Sequence, residues 1–234
     1  MERQDKERPL RERVRALSGA REKFGWSGLN TFRVGIIRQN AGKRVLDIGG
    51  SHGDYVNYLC ARGYDGFGLD LLVSDNWHQL DAWGRFILAD AQDLPIESGT
   101  FDTVICFNVL EHVPDFSRAL AEAARVLRRH GKLILVVPNC ADDEVLRLAN
   151  LNYYHWTDLT HLHAFTADSI TDALISTGFA VEELIEDGPI RPELLLLDMW
   201  HVPLGIARQI SRVVQHLPFQ KKRLSSLLVV ASKA

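Results

Sequence analysis

Lys43-Arg-Val-Leu-Asp-Ile-Gly-Gly-Ser-His-Gly-Asp54 carries residues whose types and spacing could build a ligand pocket. Gly49, Gly50 and Gly53 let the backbone turn tightly and approach a ligand closely, and a helix resuming near Asp54 adds unpaired N–H groups to the same crevice. Asp47 stands at its entrance. An ionised carboxylate there repels a pyrophosphate and attracts an ammonium, so the crevice suits a guest with a cationic end. Ser51 interrupts the glycines, at little cost if its φ is negative. Asp70 follows about 20 residues beyond the turn, where a strand-end carboxylate can accept both hydrogen bonds of a ribose diol. A second concentration of chemistry is Tyr153–Phe165, with three histidines, one acid and four aromatics. A histidine near neutrality can take a proton from a hydroxyl or amine; His161 is the first candidate base and His163 the second. Packing against the sheet end, with the histidines bonded to backbone, is an equal reading. A metal held by His161, His163 and either Asp158 or His155 ranks below both, because the spacing is irregular and no cysteine joins, so no metal is expected.

These groups need a scaffold. Apolar runs predict strands over 44–47, 66–70, 86–90, 101–107 and 131–138, with helices over about 54–62 and 115–129 between them. Five strands alternating with helices imply a doubly wound α/β sheet with right-handed crossovers. Thr31 is a plausible N-cap for a helix reaching about Gln39, and Thr166 opens another that Gly178 ends. Strands at 179–186 and 224–232 follow. Residues 2–17 suggest a solvated helix with a narrow stripe at Leu10, Val14 and Leu17, serving as brace, arm or lid. Between Pro192 and His216 lie two apolar helical pieces broken near Pro203 and Gly205.

Val45-Leu-Asp-Ile-Gly-Gly-Ser-His-Gly53 resembles the first motif of the class I S-adenosylmethionine-dependent methyltransferases, with Ser51 in place of the middle glycine. Asp90-Ala-Gln-Asp-Leu-Pro95, Phe101-Asp-Thr-Val-Ile-Cys-Phe-Asn-Val-Leu-Glu-His-Val113 and Asp158-x-Thr-His-x-x-x-Phe-Thr166 are similar to later motifs, so the likeness covers about residues 40–187. It implies a Rossmann-like seven-stranded sheet of order 3-2-1-4-5-7-6, the last strand antiparallel. It implies S-adenosylmethionine as methyl donor, bound by Asp47, Gly49, Ser51, Gly53, Asp70, Leu71, Asp90, Ala91 and Asn108. Leu71 would pack on the adenine, Asp90 would take its amino group, and Asn108 would line the site by its backbone. Glu111 and His112 could face the acceptor, although bracing the loop is their commoner role. The domain then spans 41–234 behind an N-terminal helical segment, 1–40, with a helical insertion at about 191–220.

The chain's 234 residues suffice for one well-cored domain, and a net charge of −3 argues against a binder coated in nucleic acid. From His201 onward there are six Lys or Arg and no Asp or Glu. That basic segment and its apolar helices leave lid, homodimer contact and peripheral membrane or lipid contact through 191–223 open, with the lid favoured. The expected acceptor is a small molecule, with RNA or a lipid-linked acceptor, or a binding subunit without turnover, as alternatives. DNA is not expected, since no Asp/Asn-Pro-Pro-aromatic motif follows the fourth strand. A nicotinamide enzyme is disfavoured because Ser51 and Asp54 occupy the later positions of Gly-x-Gly-x-x-Gly. Cys60, Cys106 and Cys140 read as reduced thiols of a cytoplasmic protein, and the charged start is unlike a signal peptide.

Overall fold

The computed structural model describes residues 29–141, 158–190, 202, 203, 205, 206, 209, 210, 213 and 223–234. The helix expected over 2–17, His155 with its neighbours, and most of the 191–220 insertion lie outside the described residues. The insertion's lid, dimer and membrane readings fall there too.

The elements run α1 (Thr31–Asn40), β1 (Arg44–Ile48), α2 (Asp54–Ala61), β2 (Asp65–Asp70), β3 (Phe86–Leu88), β4 (Phe101–Phe107), α3 (Phe116–Val126), β5 (Leu127–Pro138), α4 (Ala167–Ser176), β6 (Phe179–Ile190) and β7 (Arg223–Lys233). They form one sheet of order β3-β2-β1-β4-β5-β7-β6. The strands from β3 to β5 pair in parallel, and β7 lies antiparallel between β5 and β6. This is the expected order and the expected reversed last strand.

The period of two along each strand sorts the core into two layers. Leu46, Val104, Leu133, Leu135 and Val229 belong to the layer covered by α3 and α4. Val45, Ile105, Ile134, Val136 and Val230 belong to the layer covered by α1 and α2. Each such side chain contributes about 1.5–3 kcal/mol on full burial, which fixes register, since a one-residue slip would exchange the layers. Helix α1 buries Val34, Ile36 and Ile37 in the second layer, so it is part of the sheet's covering.

Of the boundaries that differ from expectation, three have a clear local reason. Asn30, not Thr31, caps α1, its side-chain oxygen accepting from the N–H groups of Phe32 and Arg33. β3 stops at Leu88, because Asp90 turns its carboxylate onto the Gln92 N–H at 2.8 Å and leads the chain out of the sheet. α3 stops at Val126, since Leu127 is fully buried and pairs with Phe101 as the first residue of β5. Thr166 does cap α4, in a reciprocal box with Ser169. Among the described residues no helix is long and apolar enough to cross a membrane.

Candidate cofactor and acceptor site

The carboxyl ends of β1, β2 and β4 meet where the strand order reverses, the place where open α/β sheets bind ligands. After β1 the N–H groups of Gly49 and Gly50 both donate to the Leu69 carbonyl, at 2.7 and 3.0 Å, and the Gly53 N–H closes the turn on the Gly50 carbonyl at 2.7 Å. Gly53 has φ +86°, and a Cβ there would lie 2.5 Å from Leu80 and 2.6 Å from Phe86. Ser51 does not meet the condition of a negative φ, standing at +44°. Its N–H donates to Asp70 Oδ2 at 2.9 Å, and Trp77 Nε1 donates to its carbonyl at 2.7 Å. A left-handed non-glycine residue costs about 1–2 kcal/mol, against about 0.5–1 kcal/mol for the extra chain entropy of glycine. Ser51→Gly is therefore expected to stabilise the free protein by about 0.5–1 kcal/mol, a melting point about 1–4 °C higher in thermal unfolding. A lower melting point would show that the surrounding bonds remove the strain.

Asp47 is 3% exposed, and its carboxyl is held well above the usual range by burial first and by the neighbouring Asp70 second. It lines a cavity of about 250 Å³ with Arg33, Gly49, Ser51, Tyr55 and Phe107. Sequence reasoning missed Arg33. It sits in the first turn of α1, its Nη2 donates to Asn108 Oδ1 at 2.8 Å, and its guanidinium lies 5.2 Å from the centre of the Phe107 ring. The signal was faint: a lone cation beside the apolar positions Val34, Ile36 and Ile37, on a helix whose docking the sequence does not give. One buried carboxyl, which an ammonium would hold ionised, and one cation in a small cavity match the two charged ends of a free α-amino acid.

A second cavity of about 640 Å³ shares Gly49 and Ser51 with the first. Asp70 enters it with Oδ1 accepting from the Leu72 N–H at 3.1 Å. Leu71 and Leu72, 66% and 74% exposed, give it an apolar rim. Ala91 is buried in its wall, and both Asp90 oxygens accept from Gln92 Nε2 at 3.0 Å, which leaves Oδ2 a lone pair for a ligand. Asn108 also lines it, at φ +57° with its N–H donating to the Val136 carbonyl at 2.8 Å. The nine expected cofactor residues thus converge on two adjoining cavities, Gly53 as the hinge of the turn rather than as a lining group.

Val109, His112, Val113, Pro114 and Thr160 form the far wall of this larger cavity. Glu111, in the 3-10 turn Leu110–His112, is 1% exposed, and burial raises the pKa of its carboxyl. The Thr160 hydroxyl donates to Asp158 Oδ1 at 2.6 Å, so toward His112 Nδ1, 3.0 Å away, it can only accept. His112 therefore carries its proton on Nδ1, which also points at the Thr160 carbonyl, 3.2 Å away. The His161 ring meets His112 edge-on, with centroids 4.8 Å apart. His163 instead bonds the Val113 carbonyl through Nε2 at 2.8 Å and packs edge-on against Phe116. Of the two expected bases, His161 adjoins the cavity wall and His163 braces the backbone beneath it.

This fold and this pair of cavities define a class. The chain belongs to the class I S-adenosylmethionine-dependent methyltransferases: the family profile described as "Methyltransferase domain" matches residues 6–184. Its relatives include a Mycobacterium tuberculosis protein named "Probable S-adenosylmethionine-dependent methyltransferase", 30% identical over 145 residues, covering 62% of this chain and 50% of that protein. The "Ubiquinone biosynthesis O-methyltransferase" of Pseudomonas aeruginosa is 33% identical over 124 residues, covering 47% of this chain and 52% of that one. The chain thus spans about half the length of these curated relatives. A crystal structure of a SAM-dependent methyltransferase from Archaeoglobus fulgidus superposes with a TM-score of 0.60 at 17% identity, over 85% of this chain and 91% of that one, and shows the shared fold.

Proposed function

We propose that the chain transfers a methyl group from S-adenosylmethionine to a hydroxyl of a small acceptor seated in the larger cavity. The observation that carries this reading is the buried Asp47 carboxyl sharing the smaller cavity with Arg33. When bound, the donor supplies an electrophilic methyl on a positively charged sulfur. Asp47 would hold its ammonium and Arg33 its carboxylate. Asp70, with lone pairs beyond those given to Ser51 and Leu72, would hold the ribose hydroxyls. Leu71 would cover the adenine, Asp90 would meet its amino group, and Ala91 and Asn108 would form the walls between.

On the acceptor side, apolar Val109, Val113 and Pro114 suit an apolar body, while Thr160 and His112 mark one polar end. The protein's work is to align the hydroxyl with the methyl and exclude water. The acceptor's proton leaves at the polar end of the cavity marked by His112 and His161, and His163 positions that wall through Val113. The name of the Pseudomonas relative, an O-methyltransferase, supports oxygen as the accepting atom.

Calorimetry with S-adenosylmethionine and its demethylated product tests the donor half, and binding of both is expected. A screen of phenols, hydroxy acids and amines with labelled donor tests the other half. With an acceptor in hand, His161→Asn should lower turnover about 100-fold. Absence of donor and product binding would remove the enzymatic reading, and binding with no transfer across the screen would favour a binding subunit.

A further inference from the structure

Glu111, His112 and His161 present one ligand atom each, and these atoms lie within 4.8 Å of one another. We propose that the three side chains form a divalent transition-metal site, for Zn²⁺ or Mn²⁺, at the polar end of the acceptor cavity. The inference rests on the methyltransferase reading and gives the proton-removing end of the cavity its chemistry.

Four observations support it. Glu111 is 1% exposed, and its Oε2 is buried without a hydrogen-bond partner, a cost of about 1–3 kcal/mol unless something binds there. The Thr160 hydroxyl, committed to Asp158, fixes the His112 proton on Nδ1 and turns Nε2 into a lone-pair donor. His161 Nε2 lies 3.7 Å from Asp158 Oδ2, and a carboxylate behind an imidazole is the usual outer partner of a metal-bound histidine. His112 lines the cavity beside Thr160, so a cation there would keep a coordination position open to the acceptor. Asp158 thus holds the hydroxyl that orients His112 and stands behind His161.

Ligands about 2.1 Å from a tetrahedral ion stand about 3.4 Å apart, so the three ligand atoms, all within 4.8 Å of one another, must draw in around it. Two histidines and one carboxylate select borderline transition metals over Ca²⁺ or Mg²⁺. A cation there binds the acceptor oxygen and lowers the pKa of its hydroxyl, whose proton passes to solvent and leaves an oxyanion beside the donor. Metal was not expected from the sequence because His161 was paired with its loop neighbours. The fold supplies the other two ligands from the turn after β4.

The test uses the full chain, freed of metal by chelator and dialysed. Zn²⁺ and Mn²⁺ are titrated by calorimetry, and the demethylated donor product is titrated into the same sample. One Zn²⁺ per chain is expected, with affinity falling at least 10-fold in His112→Asn and in Glu111→Gln and unchanged in His78→Asn. Should Glu111→Gln fail to fold, His112→Asn, at the cavity wall, carries the comparison alone. No Zn²⁺ binding, or binding that His112→Asn leaves intact, overturns the cation site. Product binding in that same sample would leave the methyltransferase reading standing, and its absence would remove that reading separately.

Discussion

Replacing Asp47 with Asn is expected to weaken binding of the sulfonium donor about 100-fold while raising the melting temperature of the ligand-free protein. Both effects come from one buried charge. In the free protein, burial and Asp70 hold the Asp47 carboxyl well above its ordinary pKa. Its folded form therefore keeps a proton that the unfolded chain has released. Stability is full below the unfolded pKa of about 3.9 and declines as pH rises from there through the raised folded value. Above the folded pKa the whole penalty stands, and a neutral amide of the same shape escapes it. A gain of about 1 kcal/mol corresponds to about 2–4 °C in a chain of this length. Binding has the opposite sign. An ammonium in the 250 Å³ cavity favours the ionised carboxylate, so donor affinity rises with pH through the folded pKa and then levels. Losing one partner of a buried charge pair costs about 3 kcal/mol, which is about 100-fold. Calorimetry across pH and thermal scans of the two proteins measure both. An Asp47→Asn protein that binds the donor like the parent would sink the electrostatic account of the pocket.

That account was readable in the chain because its parts are local. Asp47 and the glycine turn lie within seven residues of one another, and the strands carry a period of two that sorts Val45 from Leu46 and Ile134 from Leu135. Strand order was less local; it came with the motif resemblance, since hydrophobic period alone does not rank neighbours in a sheet. What escaped was assembled at a distance. Arg33 reaches the donor pocket through Asn108, 75 positions away, and only the docking of α1 brings them together. His112 and Thr160 are 48 positions apart and meet because the turn after β4 faces the loop before α4. The sign of φ at Ser51 was hidden for another reason: serine is a residue that the left-handed region disfavours, so the identity pointed away from the conformation. The bonds from Asp70 and Trp77 hold it there.

The largest steric effect is expected at Gly49. Its φ of +74° disfavours any side chain, and a Cβ would stand 2.2 Å from Val109 Cγ2. The conformation contributes about 1–2 kcal/mol against alanine, and the overlap about 1–3 kcal/mol more. Gly49→Ala should thus lose about 2–5 kcal/mol in denaturant unfolding and bind the donor product at least 100-fold more weakly, because the turn shares its wall with both cavities. The two contributions can be separated. Val109→Ala removes the opposing methyl groups and leaves φ untouched, so the Gly49→Ala/Val109→Ala protein should recover the steric part and keep the conformational one. A double variant no more stable than the sum of the single losses would place the whole cost in the backbone. The turn would then be required for its shape alone. Recovery of about half, with product binding partly restored, would show that Val109 and the glycine are fitted to each other, and that the turn needs glycine as much for the neighbour it admits as for the angle it adopts.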